Sequence, residues 1–529
     1  MTNVNDLLRD HVTLTIDCID RMYLNGYIPT LQVPGQLVNF LIKHRGYQIP
    51  SPALLGKIGD QFVQAVKHYA QENDIPIVHF QRGQRKEDVA AEYRDTFTKP
   101  EGVVFIGVAQ EKAQSFRAHK KQKSGYVGFE YARQPVCVNH YYFYLQDDEF
   151  GPAFIKVCSY VPYPIKVCLN GHEWAKQQLR KEGIDFETLD NGFLSCADPE
   201  RLQTVCDQLG PEQIQAFFDK WVERLPMPLT VADRQAGYAH RLSVWQLEVS
   251  HTQVFDDPLR GREFFEAVIR ENLDLGRPDR VQLVFDRKII KTTPGRFRTR
   301  VIQEGVHPSL HIEYKKSRVK QYFKEERALR TETTINDPKD FAVRKDVSNL
   351  PFLQQIGRQI NQRLLDVQRV SHNCHLSQES VERVVQPTVT ADGQRASGLR
   401  FGQARTMALL AALTLFVHQT YGFRHGDLRR HVADLLGTEY SAHCMSYDLR
   451  RLRLKGLIWR VPHSHRYLLT PYGCKVALFL TRLHARVFRP GFAALDPSVL
   501  IPSPLAQAMT EVEQEIDKLI NDAELAAVV

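Results

Sequence analysis

The sequence predicts an α+β protein of several domains: a mixed α/β N-terminal part, an α+β central region, and a C-terminal module of three helices and a hairpin. Three observations predict it. The chain has 529 residues, too many for one hydrophobic core, which sets an expectation of roughly two to four domains. A hydrophobic content of 43% with 25% charged residues is that of an ordinary globular chain, which excludes a disordered or fibrous protein. Strand-like alternation and helix-like 3–4 spacing succeed one another to about residue 345, after which helix dominates.

The longest apolar run, Met407 to Val417, falls short of a membrane span and is interrupted by Thr414. The N-terminus, MTNVNDLLRDH, has no apolar signal core. Nine cysteines are present without a CxxC pair, and several sit in apolar strand-like runs such as IKVCSY. These features set the expectation of a reduced, cytoplasmic protein without membrane contact.

Residues 1–125 read as a mixed α/β domain. VTLTIDCIDRMYL is apolar and β-branched, Leu54 to Ala70 has the spacing of a buried-face helix, and IPIVHF and GVVFIGVA are short strands. The basic run Lys112 to Lys123, closed by Gly125 and Gly128, reads as an exposed loop. Residues 126–345 form an α+β domain. Its strands are NHYYFYLQ, AFIKVCSYV, PIKVCLN, SVWQLEVSHTQVF, RVQLVFDRKII, RFRTRVIQ, SLHIEYKK and ALRTETTIN, with helices at HEWAKQQLRKEG, ended by Gly183, and PLRGREFFEAVIRENLDL. Residues 346–398 are a helical connector finishing in QPTVTADGQRASG, which has linker composition. Residues 399–490 hold the three-helix module, and 491–529 a tail with an amphipathic helix.

Within the module, QARTMALLAALTLFVHQT, HGDLRRHVADLLG and CMSYDLRRLRLKG are helices, and LIWRV and RYLLT are strands joined by a tight turn. Met445, Leu449 and Leu452 mark the buried side of the third helix. From Tyr421 to Pro490 there are 11 Arg and two Lys against four acids, a net of +9, so the whole +8 of the chain resides there. A local excess of this kind is the footprint of polyanion binding. The run LRRLRLKGLIWR…RYLLTPYG resembles the winged helix-turn-helix of bacterial regulators, which implies DNA contact by the third helix and the wing. Tyr447, Arg450, Arg451, Arg453 and Lys455, with Arg460, His465 and Arg466 at the wing, are then the candidate nucleic-acid-binding residues.

The central region carries further candidates. Residues 311–330 hold seven Lys or Arg with Tyr314, Tyr322 and Phe323 interleaved, a pattern that suits a phosphate track with stacked bases. Lys315, Lys316, Arg318 and Lys320 are its candidate contacts, joined by the row Arg296, Arg298 and Arg300. A Tyr-Lys strand, a basic helix and a strand with Arg and Glu together resemble the replication-initiator and nickase proteins of phages and plasmids. That likeness implies a strand carboxylate on a divalent ion and a tyrosine nucleophile, although the His-hydrophobic-His metal motif of those proteins is absent. Glu248, Asp286 and Glu332 are the candidate metal-binding and catalytic carboxylates, Tyr314 and Tyr322 the candidate nucleophiles, and Mg²⁺ the implied cofactor. The run NGHEWAK cannot be a zincin, because Lys176 stands where the second His would be. His172 and Glu173 read as a helix cap, and Asp147, Asp148 and Glu149 as a solvated turn.

The tail places Met509, Val512, Ile516, Leu519 and Ile520 on one helical face, opposite four acids. A helix so short must dock, on its own chain or as a homodimer contact. Taken whole, FGPAFIKVCSY, NGHEWAK, TPGRFRTR and KQYFKEERALRTET resemble a widespread family of long uncharacterised bacterial proteins, which brings no activity with it. The leading expectation is a DNA-binding protein, with RNA as a further partner and a mobile element or genome defence as its setting. A metal-dependent endonuclease or nickase, and a regulator with a large sensor region, are the alternatives.

Overall fold

The computed structural model describes residues 11–123, 126–274, 284–285, 298–304, 307–372, 376–390, 392–462, 464–488 and 504–522. Asp286 and Arg296 lie outside the described residues. The protein is mixed α/β, and no described helix is long and apolar enough to cross a membrane.

The chain divides into two compact units, neither of them continuous in sequence. One comprises His11–Gly261 with Lys315–Asn361, the other Met1–Asp10, Arg262–Tyr314 and Gln362–Val529. The expected boundary at residue 125 therefore does not separate domains. The strands on its two sides form one hairpin.

The first unit is built on a mixed sheet. Its strands are β1 (Val12–Tyr27), β2 (Ile77–His79), β3 (Gly102–Lys123), β4 (Tyr126–Asp147), β5 (Gly151–Cys158), β6 (Ile165–Asn170) and β9 (Arg241–Phe255), with β13 (Ser317–Lys324) and β14 (Ala328–Ile335). A small separate hairpin pairs β7 (Phe186–Leu189) with β8 (Gly192–Cys196). The order is β13-β14-β9-β1-β6-β5-β4-β3-β2. Its neighbours are antiparallel, save the parallel pair β2–β3. Period-2 burial explains the strands: Ile155 and Val157 on β5 and Ile165, Val167 and Leu169 on β6 are buried, while the residues between them are less so. Over this sheet pack α1 (Pro52–Glu72), α2 (Gly171–Glu182), α3 (Pro199–Gln208) and α4 (Pro211–Arg224), through Phe62, Val66, Trp174, Leu202, Phe217 and Trp221. Helix α2 begins at Asn170, whose side chain accepts from the His172 and Glu173 amides, and ends at Gly183 in the left-handed region with φ 69°. Gly171 fits against β1 because it lacks a Cβ, which would stand 2.3 Å from the Ile19 carbonyl oxygen.

Two expectations fail here. Lys112 to Lys123 is not a loop but the outer part of β3, in register with β4 from Gly102–Gln146 to Lys123–Tyr126. The expected basic helix of residues 317–324 is β13, where Val319 and Gln321 are buried in strand alternation. Val319, Tyr322 and Phe323 favour strand over helix, whatever the charge between them.

Helix α5 (Leu350–His372) leads into the second unit. There β10 (Val284–Phe285), β11 (Arg298–Glu304) and β12 (His307–Tyr314) pair in order. Then come α6 (Gln378–Val385), β15 (Thr388–Val389), β16 (Arg395–Ala396), α7 (Ala404–Leu413), α8 (Phe416–Tyr421), β17 (Phe423–Arg424), α9 (His425–Leu436), α10 (Ala442–Leu454), β18 (Ile458–Arg460), β19 (Arg466–Leu469), α11 (Pro471–Leu483) and the tail helix α12 (Pro504–Asp522). The stretch expected as a linker is thus an ordered hairpin, β15–β16, with Thr388 opposite Ala396. The first helix of the module is two helices, broken at Thr414 and Leu415.

Candidate functional site

Two regions carry the predicted chemistry. In the first unit, β9 lies between β14 and β1. Glu332 pairs with Ser250 and Thr334 with Glu248, while Cys18 pairs with Ser250 across the other edge. A register shift between Ile19 and Met22 sets Asp20 and Arg21 against the single position of Glu248. Such a bulge re-aims a side chain. It brings Asp20 to Glu248 and Glu332, with one carboxylate oxygen of each within 4.8 Å of the others. Asp20 and Glu332 are buried, and Glu248 is half-buried.

One cation stands among them. Arg330, 1% exposed, lies 2.7 Å from Asp20 and 3.8 Å from Glu332, and donates to the Asn191 carbonyl. Its Nη2 is 2.9 Å from His172 Nε2. A guanidinium can only donate, so His172 accepts there and carries its own proton on Nδ1. Asn191 donates to Asp20, Gln246 to Glu248 at 2.8 Å, and Tyr322 to Glu332 at 3.4 Å.

Charge divides this trio. Burial works against the Asp20 carboxylate, but the Arg330 charge outweighs it and holds its pKa below the ordinary value. Glu332 is pushed up to about 7, first by burial and then by the charges of Asp20 and Glu248. Burial and Asp20 raise Glu248 as well. The site therefore holds a proton near neutrality where three carboxylates and one guanidinium would leave net negative charge. Carboxylate oxygens are the ligands that Mg²⁺ and Mn²⁺ take, so the residues present fit a hard divalent ion.

Of the predicted set, Glu248, Glu332 and Tyr322 come together. Tyr314 does not join them. It is buried in the second unit, stacked on Tyr421 at 4.7 Å and lying under the Arg466 guanidinium. Burial, then the Glu332 charge, raises the Tyr322 pKa, which holds its proton in place. Sequence reasoning missed Asp20. The signal for Asp20 was an acid at an inward position of the alternation Leu14, Ile16, Cys18. The basic candidates nearby are dispersed: Lys315 reaches the Asp340 carbonyl at 3.5 Å, Lys316 pairs with Asp337 at 2.9 Å, Lys320 lies over the Tyr322 ring, and Arg318 is exposed. Arg298 and Arg300 sit on β11, opposite Glu313 and His311.

The second region is the C-terminal module. Its three-stranded sheet runs β17-β19-β18, and its core joins Leu409, Leu413, Leu428, Val432, Met445, Leu449, Leu452, Ile458 and Val476. Ser441 caps α10 by accepting from the Cys444 amide. His443, Ser446, Tyr447, Arg450 and Arg453 follow one another along its exposed side. The β15–β16 segment flanks that side: Tyr447 meets Ser397 at 2.7 Å, and Arg450 reaches the Arg395 carbonyl at 3.3 Å.

Three expected contacts are placed otherwise. Arg451 pairs at 2.8 Å with Asp448, which is fully buried and also holds Arg405. Lys455, 1% exposed, donates to the Arg383 and Gln386 carbonyls at 3.0 and 2.8 Å. Burial, then Arg451 and Arg383, pulls its pKa down to about 8. Arg466 donates to the Tyr421 carbonyl, and burial lowers it to about 10. Lys455 and Arg466 answer to oxygens of other segments, and Arg451 to an acid whose burial the local sequence pattern does not reveal. Arg460 and His465 remain exposed at the wing. The exposed Arg424, Arg429, Arg430 and Trp459 were not singled out from the sequence.

Comparison with protein-family models, with curated proteins and with solved structures gives no match.

Proposed function

We propose that this chain is a DNA-binding protein whose residues 404–483 act as a winged helix. The observation that carries this reading is the order of two helices, a strand, two helices and two strands, with the sheet arranged β17-β19-β18 and an exposed polar side on α10. In that arrangement the third helix enters the major groove and the hairpin reaches the flanking backbone. Tyr447, Arg450 and Arg453 are the proposed contacts on the helix, Arg460 and His465 those on the wing; RNA is tested as a competitor. Replacing Tyr447, Arg450 and Arg453 together by Ala should lower affinity by several kcal/mol and reduce the salt slope by about two. Arg451 is left in place, because its loss would take one of two cations from the buried Asp448. Unchanged affinity across a salt series overturns the reading.

A second reading, a Mg²⁺-dependent endonuclease or nickase, is favoured by the convergence of Asp20, Glu248 and Glu332. A divalent ion bound there would supply Lewis-acid stabilisation of phosphate oxygens. Arg330 would orient Asp20, and Tyr322 would hold its proton toward Glu332. Glu332→Gln should abolish cleavage of single- and double-stranded substrates while leaving binding intact. A wild-type protein that cleaves neither with Mg²⁺ or Mn²⁺ ends this reading.

The tail helix is the proposed dimer contact, since Val512, Ile516 and Leu519 are about half exposed or more. Deleting residues 510–529 should then convert a dimer to a monomer. A full-length chain already monomeric at micromolar concentration rules the dimer out.

A further inference from the structure

The long hairpin of the first unit has no part in either reading so far. β5 pairs with β4 only between His140 and Asp147, and β2 with β3 only at Ile106 to Val108. Beyond those residues β3 and β4 run on as a two-stranded ribbon, with Gln110 opposite Asn139 and Lys120 opposite Phe129.

The ribbon is braced on one face. Phe116 and Tyr131 are buried in a cluster with Ile28, Leu31, Leu37, Phe40 and Tyr163, and Ala118 and Phe129 pack against it. Tyr131 also donates to the Pro50 carbonyl at 2.7 Å. The Phe116 amide and the Ser115 hydroxyl both donate to the Val161 carbonyl. An arm held in this way has its conformational entropy already spent in folding, so a partner need not order it.

What the arm presents is cationic. Residues 112–133 hold six Lys or Arg against one acid, Glu130. Lys112, Arg117, His119 and Lys120 are exposed. Among the described residues no carboxylate pairs with Lys112, Arg117 or Lys120, whereas Glu111 just below is held by Lys86 and Lys156. At about 3.4 Å per residue, Lys112 and Lys120 stand roughly 27 Å apart on the face that carries Phe116, one on either side of it, and Arg117 stands on the opposite face. Unneutralised cations over that length match a partner with regularly spaced charge. B-form DNA has one phosphate per about 1.7 Å of axis and a major groove that admits a two-stranded ribbon.

We propose that the basic β3–β4 ribbon is a second nucleic-acid contact of this protein, reaching the phosphates of a duplex through Lys112 and Lys120 on one face and Arg117 on the other. It rests on the DNA-binding reading above but on a different unit of the chain. The test uses the full chain and a labelled duplex of about 30 base pairs, followed by anisotropy between about 50 and 200 mM salt. Lys112→Gln/Arg117→Gln/Lys120→Gln should flatten the slope of log K against log salt by about two to three. It should weaken binding at least about tenfold. Lys112→Arg/Arg117→Lys/Lys120→Arg should retain both, because phosphates read charge and not shape. The substituted side chains are exposed, and an unchanged melting curve confirms that folding is intact. If wild type binds and the glutamine variant binds with the same slope, the arm is not a contact while the winged-helix reading stands. If wild type binds no duplex, both fall. A slope change with polyglutamate but none with duplex would assign the arm to an acidic protein and overturn the proposal.

Discussion

Two acidic clusters sit in the same unit, and they are neutralised in opposite ways. At the turn between β4 and β5, Glu101, Asp147 and Asp148 gather within ligand distance of one another. Lys220 touches all three carboxylates, and Arg224 pairs with Glu101 at 2.7 Å. Asp147 also accepts from the Trp221 indole and from the amides of Glu149 and Phe150, so the cluster is a complete structural cap. Lys220 fills the position a metal would take. At Asp20, Glu248 and Glu332 the cation is Arg330, which pairs closely with Asp20 and only distantly with Glu332. There the missing charge is supplied by a proton on the glutamates. Acid clusters alone therefore say little about chemistry. The residual charge left after the protein's own cations are counted separates a capped turn from a site that can take an ion.

The largest test of that difference removes the resident cation. Arg330→Met should cost about 3–5 kcal/mol at pH 8, because it leaves buried carboxylates without a partner. Lys220→Met should cost about 1–2 kcal/mol, since Arg224, Lys181 and water still serve its acids. Urea denaturation of both variants measures the ratio. Equal losses would mean that the two clusters do the same structural work.

The second test uses pH and metal together. Folding raises the Glu332 pKa from 4.5 to about 7. The folded state thus binds a proton more tightly than the unfolded state does. Its contribution is present below the unfolded pKa and is lost as pH rises from there through about 7, on the order of 3 kcal/mol in all. Glu332→Gln should remove that slope and be the more stable protein at pH 8. A divalent ion competes with the same proton, so Mn²⁺ should raise the melting temperature of wild type more at pH 8 than at pH 6, and of Glu332→Gln hardly at all. A Mn²⁺ response that is equal at both pH values, or kept in the variant, would break the link between proton and ion.

How much of this could be read in the sequence varies by region for physical reasons. Helix α1, the Gly183 stop and helices α9 and α10 of the C-terminal module follow from local periodicity and capping, which the sequence states directly. Glu248 and Glu332 were legible as acids on strands. Asp20 was legible only as an acid at an inward position of β1; its meeting with Glu248 depends on a bulge, and bulges have no reliable sequence mark. Lys455 and Arg451 look like free cations on a basic helix. Their fate depends on the Gln386–Gly398 segment and on Asp448, contacts that tertiary structure alone supplies. Gln386–Gly398 itself has the composition of a linker, and only the pairing of Thr388 with Ala396 gives it a fold. Charge misled in the same manner at Lys112 to Lys123. Solvation suggested a loop, yet Phe116 and Tyr131 anchor a strand.

The smallest effect belongs to Asp148. Its side chain is 48% exposed, and it shares Lys220 with two other acids. Lys220, then Glu101 and Lys181, keep its pKa below the ordinary value despite some burial, but solvent screens most of that interaction. Asp148→Asn preserves volume and removes one charge from a cluster whose ammonium keeps Asp147 and Glu101. The expected change in stability is at most about 0.5 kcal/mol, and the Mn²⁺ response at pH 8 should be that of wild type. Raising the ionic strength should shrink even this difference, since the group lies where mobile ions reach it. A loss of the Mn²⁺ response in Asp148→Asn would move the ion site to the β4–β5 turn. It would then have to displace Lys220 from three carboxylates, and Lys220→Met would bind the ion more tightly than wild type.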